Sequence, residues 1–220
     1  RRIESMLLRE FYKESRLWPL NNKKKNLEKV EGATVFEPVR GLHENIIVMD
    51  YKSLYPSTIR AYNICWTAIK NDDSPEANYS EAPNGILYID QKTYQGIMPR
   101  ILTKLYNKRV QLKTLMKQAM SESERQYYDN QQYSVKILLN SFYGYTGAVM
   151  GRLYDPRLAN SVTAAGRKAI KLTKQTAEEL VACEVIGGDT DSLFIRLLEI
   201  DNPDDALKAS KIIHDKMLEI

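Results

Sequence analysis

Cysteine and histidine are scarce in this sequence, two of each in 220 residues, and no long apolar run occurs. Each shortage excludes something. Cys65 and Cys183 lie far apart and fit neither a zinc-binding nor a disulfide spacing, so both read as reduced thiols of a cytosolic protein. His43 and His214 stand apart from every motif, and Trp18 and Trp66 likewise read as structural. No Ser/His/Asp or Cys/His arrangement offers itself as a nucleophilic machinery. No stretch nears the ~20 uninterrupted apolar residues of a membrane span. Arg1-Arg2-Ile3-Glu4 is charged with no apolar segment behind it, which excludes a secretory signal there. What remains is a chain with 43% hydrophobic residues, enough for one sizeable core or two small ones.

The net charge of +4 is unevenly spread. Residues 91–175 hold 15 Lys and Arg against 4 Asp and Glu, an excess of +11. Residues 1–30 hold 9 against 4 (+5), and residues 191–220 hold 4 against 7 (−3). A single-signed field over the middle of the chain points to a polyanionic partner, nucleic acid or nucleotide. A solvated helix face can carry the same pattern.

Hydrophobic periodicity orders the chain. Residues 3–15 read as a short amphipathic helix, followed by a breaker at Pro19 and a polar loop, Asn21 to Lys25. Ile46-Ile47-Val48-Met49 reads as a buried strand ending in Asp50, and Ile86-Leu87-Tyr88-Ile89, after Pro83-Asn84-Gly85, as a second strand. A helix is expected from about Pro99 to Met120, with Ile101, Leu105, Leu112 and Met116 on its apolar stripe. Ser121-Glu122-Ser123-Glu124 has capping-box spacing and starts a second helix reaching about Phe142, so the two form an antiparallel hairpin. Asp155-Pro156 opens a helix running to about Val181, and another starts near Pro203. Between them, Val185-Ile186 and Leu193-Phe194-Ile195 flank Gly187-Gly188-Asp189-Thr190-Asp191, a β-hairpin with an acidic tip.

Two sets of side chains carry chemistry. Asp50 ends a strand, and Asp189 and Asp191 crown a hairpin; clustered carboxylates call for a cation, and a hard divalent ion with oxygen ligands answers that need. The Gly-Asp-Thr-Asp string is also what a plain polar turn looks like. Arg109 and Lys113 share a face of the first long helix, and Lys136, Asn140 and Tyr143 share one of the second. Counting from the hairpin turn near residue 122 puts Arg109 level with Lys136, a pair able to hold a triphosphate. Taken singly, each is an ordinary surface cation.

Asp50-Tyr51-Lys52-Ser53-Leu54-Tyr55-Pro56-Ser57 resembles the first palm motif of B-family DNA polymerases. Lys136-Ile137-Leu138-Leu139-Asn140-Ser141-Phe142-Tyr143-Gly144 resembles their fingers motif, and Gly188-Asp189-Thr190-Asp191-Ser192 their second acidic palm motif. The motifs occur in the family's order, the likeness runs from about Glu31 to Leu218, and Glu37-Pro38 with Gly41-Leu42 is similar to archaeal members. The resemblance implies an α+β fold: a palm whose antiparallel β-sheet packs on helices, plus an antiparallel two-helix fingers hairpin. It implies a lead-in and first part of the palm over 1–90, the fingers over 91–145, and the second part of the palm over 146–220.

The implied activity is template-directed DNA synthesis, with primer-template DNA and deoxynucleoside triphosphates as partners and two Mg²⁺ ions as cofactors. Asp50 and Asp191 would hold the metals, with Asp189 auxiliary and the Tyr51 carbonyl a further ligand. Ser53, Leu54, Tyr55, Arg109, Lys113, Lys136 and Asn140 would bind the nucleotide, Tyr55 excluding a ribose 2′-hydroxyl. Tyr143, Gly144 and Thr190 would meet the nascent base pair or primer. Two departures stand out: Gly187 where the family usually has Tyr, and Thr58 where it more often has Ile. The family's exonuclease domain and thumb are not recognisable here, so the chain reads as a segment of a longer polymerase, cytoplasmic and nucleoid-associated. A non-catalytic nucleic-acid-binding module with a degenerate palm would have lost a carboxylate or Lys136, and a cyclase or reverse transcriptase would lack the fingers motif; this sequence keeps all of them.

Overall fold

The computed structural model describes residues 2–17, 30–72, 74, 76–200 and 202–219. Trp18, Pro19 and the polar run Asn21 to Lys25 lie outside the described residues. In chain order the elements are α1 (Arg2–Lys13), β1 (Val35–Phe36), β2 (Ile46–Asp50), α2 (Leu54–Ala61), β3 (Tyr79–Glu81), β4 (Leu87–Ile89), α3 (Ile97–Gln118), α4 (Glu122–Thr146), α5 (Pro156–Leu180), β5 (Cys183–Asp189), β6 (Ser192–Leu197) and α6 (Pro203–Glu219). This is the α+β class that the resemblance implies.

At the starts of α4, α5 and α6 short polar side chains satisfy free N–H groups of the first turn. Ser121 caps α4, its side chain accepting from the Glu124 N–H at 3.2 Å, while the Glu124 carboxylate accepts from the Met120 N–H at 3.1 Å. Asp155 Oδ1 accepts from the Arg157 N–H at 3.1 Å ahead of α5, and Asn202 Oδ1 takes the Asp204 N–H at 3.0 Å ahead of α6. In both helices proline occupies the first position, where a missing N–H costs nothing.

The described chain divides into two compact units, Arg1–Val30 with Tyr55–Val162, and Glu31–Leu54 with Thr163–Ile220. The second holds a four-stranded antiparallel sheet in the order β1-β5-β6-β2. One face packs Ile47, Met49, Val185, Leu193 and Ile195 against Ile170 and Ala177 of α5 and Ile213 of α6. The other face is open: Val48 is 57% and Phe194 42% exposed. β2 is therefore not the buried strand that its unbroken apolar run suggests. Helices cover only one side, and burial alternates along it with the pleat.

The first unit surrounds its own core, built on Leu7, Ile59, Ile64, Tyr88, Met98, Leu102, Leu139, Phe142 and Leu158. The small β3–β4 pair enters it through Tyr88, whose hydroxyl lies 2.9 Å from Ser161 Oγ. Trp66 is structural as expected, its indole N–H donating to the Leu153 carbonyl at 3.1 Å. Both cysteines are free thiols; burial pushes the Cys65 proton affinity up, which keeps that thiol unreactive. Among the described residues no helix is long and apolar enough to cross a membrane.

α1 is fastened to α3 by charge. Glu14 contacts Arg100 and accepts from the Tyr94 hydroxyl at 2.9 Å, and Glu10 lies 3.8 Å from both Arg100 and Lys104.

Candidate active site

Strand pairing brings the three aspartates together inside the second unit. Asp50 is the β2 partner of Ser192 on β6, and Ser192 is in turn the partner of Asp189 on β5. Residues directly opposite in neighbouring strands share a face. Asp50 lies two and four residues beyond Val48 and Ile46, so the Asp189–Ser192–Asp50 row sits on the open face, at one end of the sheet. Asp191 belongs to the two-residue connection between β5 and β6, and its carbonyl accepts from the Tyr51 N–H at 2.8 Å. That bond ties the end of β2 to the hairpin tip.

The tip is held by unusual local geometry. Thr190 has φ 53°, in the left-handed region that a β-branched residue seldom enters. Its N–H donates to the Thr34 carbonyl at 3.1 Å, its hydroxyl to Asp189 Oδ1 at 2.9 Å, and the Asp191 N–H to the Asp189 carbonyl at 2.6 Å. Ser53, just past Asp50, has φ 58°. Gly188 is required where it stands, because a Cβ there would lie 2.7 Å from the Ser192 carbonyl oxygen and 2.8 Å from Leu193. Gly187, by contrast, has Pro38 at ordinary contact distance, 3.6 Å. Tyr51 points its hydroxyl into the helix layer, 2.7 Å from Thr173 Oγ1, which anchors the strand end.

Electrostatics mark the cluster. The Asp191 carboxyl holds its proton more tightly than an ordinary carboxylate, first through burial and then through the negative charges of Asp50 and Asp189. A cation would relieve that repulsion. Among the described residues no group of three or more His, Cys, Asp or Glu side chains is placed so that it could hold a metal ion. The donors are all hard oxygens, which fits an ion such as Mg²⁺ that uses one or two carboxylates and fills its other positions with water and substrate oxygens.

The predicted nucleotide-binding cations lie in the first unit, on α3 and α4. Arg109 and Lys113 on α3 are half-buried, while Lys136, Asn140 and Gly144 on α4 are exposed. Arg109 meets α4 at Gln132, one turn before Lys136, donating from Nε to the Gln132 side-chain oxygen at 3.2 Å. Tyr55, the second residue of α2, packs its ring on Tyr143 of α4, centroids 4.3 Å apart and planes tilted by 47°. A methyl group placed on Gly144 would meet no protein atom within 4 Å, so packing within the chain does not demand glycine there. Leu54 is buried at the start of α2. Gln132 and the strained Ser53 and Thr190 backbones are features of the site that the motifs do not include. Gln132 had a signal, since it falls four residues before Lys136 on the same helix face; the backbone angles had none.

A family model for "DNA polymerase family B" matches residues 1–219. The chain belongs to DNA polymerase family B. It is similar to the DNA polymerase delta catalytic subunit of Candida albicans, 34% identical over 210 residues, covering 89% of this chain and 20% of the relative. The DNA polymerase of Thermococcus gorgonarius is 36% identical over 196 residues, covering 87% of this chain and 25% of the relative. In three dimensions the chain resembles the family B DNA polymerase of Pyrobaculum calidifontis with a TM-score of 0.73 and 31% identity, over 97% of this chain and 28% of that one. The chain thus spans about a fifth to a quarter of the length of these curated relatives.

Proposed function

We propose that this chain carries the catalytic core of a DNA-directed DNA polymerase, which adds deoxynucleotides to a primer 3′-hydroxyl and releases pyrophosphate. The observation that supports this most is the strand register that puts Asp50 beside the Asp189–Ser192 pair on an open sheet face, with Asp191 tied to it and resisting ionisation. Asp50 and Asp191 are the residues that would hold two Mg²⁺ ions, helped by Asp189 and the Tyr51 carbonyl. Such ions supply charge neutralisation at the reacting phosphate and a more acidic attacking hydroxyl.

The protein's own part is positioning. Phosphoryl transfer demands alignment and electrostatic stabilisation more than covalent help. Arg109, Lys113 and Lys136, with Asn140, bind the triphosphate, and the 91–145 segment acts as the fingers. Ser53, Leu54 and Tyr55 bind the same nucleotide, with Tyr55 under its sugar. Tyr143, Gly144 and Thr190 face the nascent base pair and primer end, where an exposed glycine without internal contacts allows close approach.

Primer extension by the full-length protein tests the reading. Asp50→Ala or Asp191→Ala is expected to abolish extension while the melting temperature holds or rises, since each removes one of a set of repelling charges. Extension near the parental rate in either variant would refute the carboxylate assignment.

A further inference from the structure

Gln132 is 9% exposed, and a buried amide must place both its donors and its acceptor. Its nitrogen donates to Asp129 Oδ1 at 2.8 Å, one turn earlier on α4. A carboxylate only accepts, so this contact fixes which end of the amide is which and turns the oxygen toward Arg109. There it accepts from Nε at 3.2 Å. Asp129, Gln132 and Arg109 thus form one chain of hydrogen bonds that crosses from α4 to α3. With Nε committed, the planar guanidinium has its orientation set, and among the described residues its four remaining N–H groups stay available. Gln132, Lys136 and Asn140 follow one another at four-residue steps along one face of α4.

We propose that Gln132 is a positioning residue for nucleotide binding: it fixes the Arg109 guanidinium against α4 so that its terminal nitrogens and Lys136 meet the triphosphate in one register. This rests on Arg109 and Lys136 being triphosphate ligands. An arginine on a flexible stem would otherwise lose side-chain freedom on every binding event, and prior fixation lowers that cost.

Single-nucleotide incorporation by the full-length protein at saturating primer-template tests it. Gln132→Met keeps the volume and removes both bonds; the KM for the incoming nucleotide is expected to rise about threefold to tenfold, as loss of one charge-assisted hydrogen bond implies. The kcat and melting temperature change little. Arg109→Ala combined with Gln132→Met is expected to be no worse than Arg109→Ala alone, because the two act as one unit. Gln132→Glu with Asp129→Asn exchanges carboxylate and amide at constant charge, lets the introduced amide donate to the introduced carboxylate, and is expected to restore KM to within about twofold of the parent. A parental KM in Gln132→Met, multiplying effects with Arg109→Ala, or a failed exchange in a normally stable protein overturns the positioning role. If those results come with defective Arg109→Ala and Lys136→Ala, only Gln132 is misassigned. If Arg109→Ala and Lys136→Ala both leave KM unchanged, the triphosphate reading falls as well.

Discussion

Tyr55 and Tyr143 touch ring to ring, and the contact restricts where the Tyr55 ring can go. A side chain meant to exclude one hydroxyl group has to be held rigidly, because discrimination by bulk depends on the blocking group failing to yield. A neighbouring aromatic ring supplies that stiffness at about 0.5–1.5 kcal/mol beyond simple burial. On the proposed function, Tyr55→Ala admits ribonucleotides, and the ratio of deoxynucleotide to ribonucleotide kcat/KM falls by orders of magnitude. Unaltered sugar discrimination would remove Tyr55 from that role. Tyr55→Phe keeps the ring and is expected to keep the discrimination. Backbone conformation matters at this scale too. Ser53 and Thr190, one beyond Asp50 and one between Asp189 and Asp191, are held in the left-handed region. Such residues cost on the order of 1–3 kcal/mol and persist where the surroundings fix them. Nothing in the residue types Ser and Thr announces those angles; around Thr190 the backbone is fixed by the Tyr51-to-Asp191 and Thr190-to-Thr34 hydrogen bonds, which exist only once the sheet has formed.

Among the elements, the helical hairpin carries the next test. Lys136 is exposed and sits one turn beyond the Gln132 link, so its removal disturbs no core contact. Lys136→Ala is expected to lower kcat/KM for the nucleotide by one to two orders of magnitude with primer-template affinity retained, measured by single-nucleotide kinetics and a separate DNA-binding titration. An unchanged kcat/KM would exclude the residue from triphosphate binding. The α1–α3 contact responds to pH instead. The Glu14 carboxyl is desolvated, which alone would raise its proton affinity, but hydrogen bonds from Arg100 and Tyr94 overcome this and hold it below the ordinary value of 4.5. A carboxylate ionised more readily in the folded state adds stability above pH 4.5 and loses it as pH falls through its lower folded value. Glu14→Gln should therefore melt below the parent near neutrality, with the difference shrinking as pH drops below 4.5, followed by thermal melts across that range. A difference independent of pH would mean packing, not charge, holds α1.

The elements that could be read from sequence were those whose own residues determine them. Periodicity places α3, and the Ser121 and Asp155 caps and the proline at 203 place the starts of α4, α5 and α6, because all of these act on neighbours in sequence. β1 is two residues long and β3 three, and they are strands only by virtue of β5 and β4 beside them. α2 hid inside a motif rich in turn formers, with Pro56 in its first turn. The aspartates were identifiable as candidates, whereas their alignment on the open face needed the register of three strands.

For the whole molecule, the telling feature is that each of the two units has a core of its own. Leu102 lies in the core of the first and Ile195 in that of the second, both fully buried. The chain passes between units after Val30, Leu54 and Val162, so neither is a continuous stretch of sequence. Two cores allow two cooperative openings, each governed by its own packing. Truncating a fully buried Leu or Ile to Ala costs about 2–5 kcal/mol, more than enough to open one unit measurably more often. Hydrogen–deuterium exchange on the full-length protein can read this out. Ile195→Ala is expected to speed exchange in β2, β5 and β6 while α3 and α4 keep their protection, and Leu102→Ala to do the reverse. The consequence reaches function, because the carboxylates depend on the sheet and the cations on the hairpin. On the proposed function, Leu102→Ala should then raise the nucleotide KM with little change in kcat, whereas Ile195→Ala should lower kcat. Uniform loss of protection in both variants would mean the two cores open as one, and the separation of roles between them would not hold.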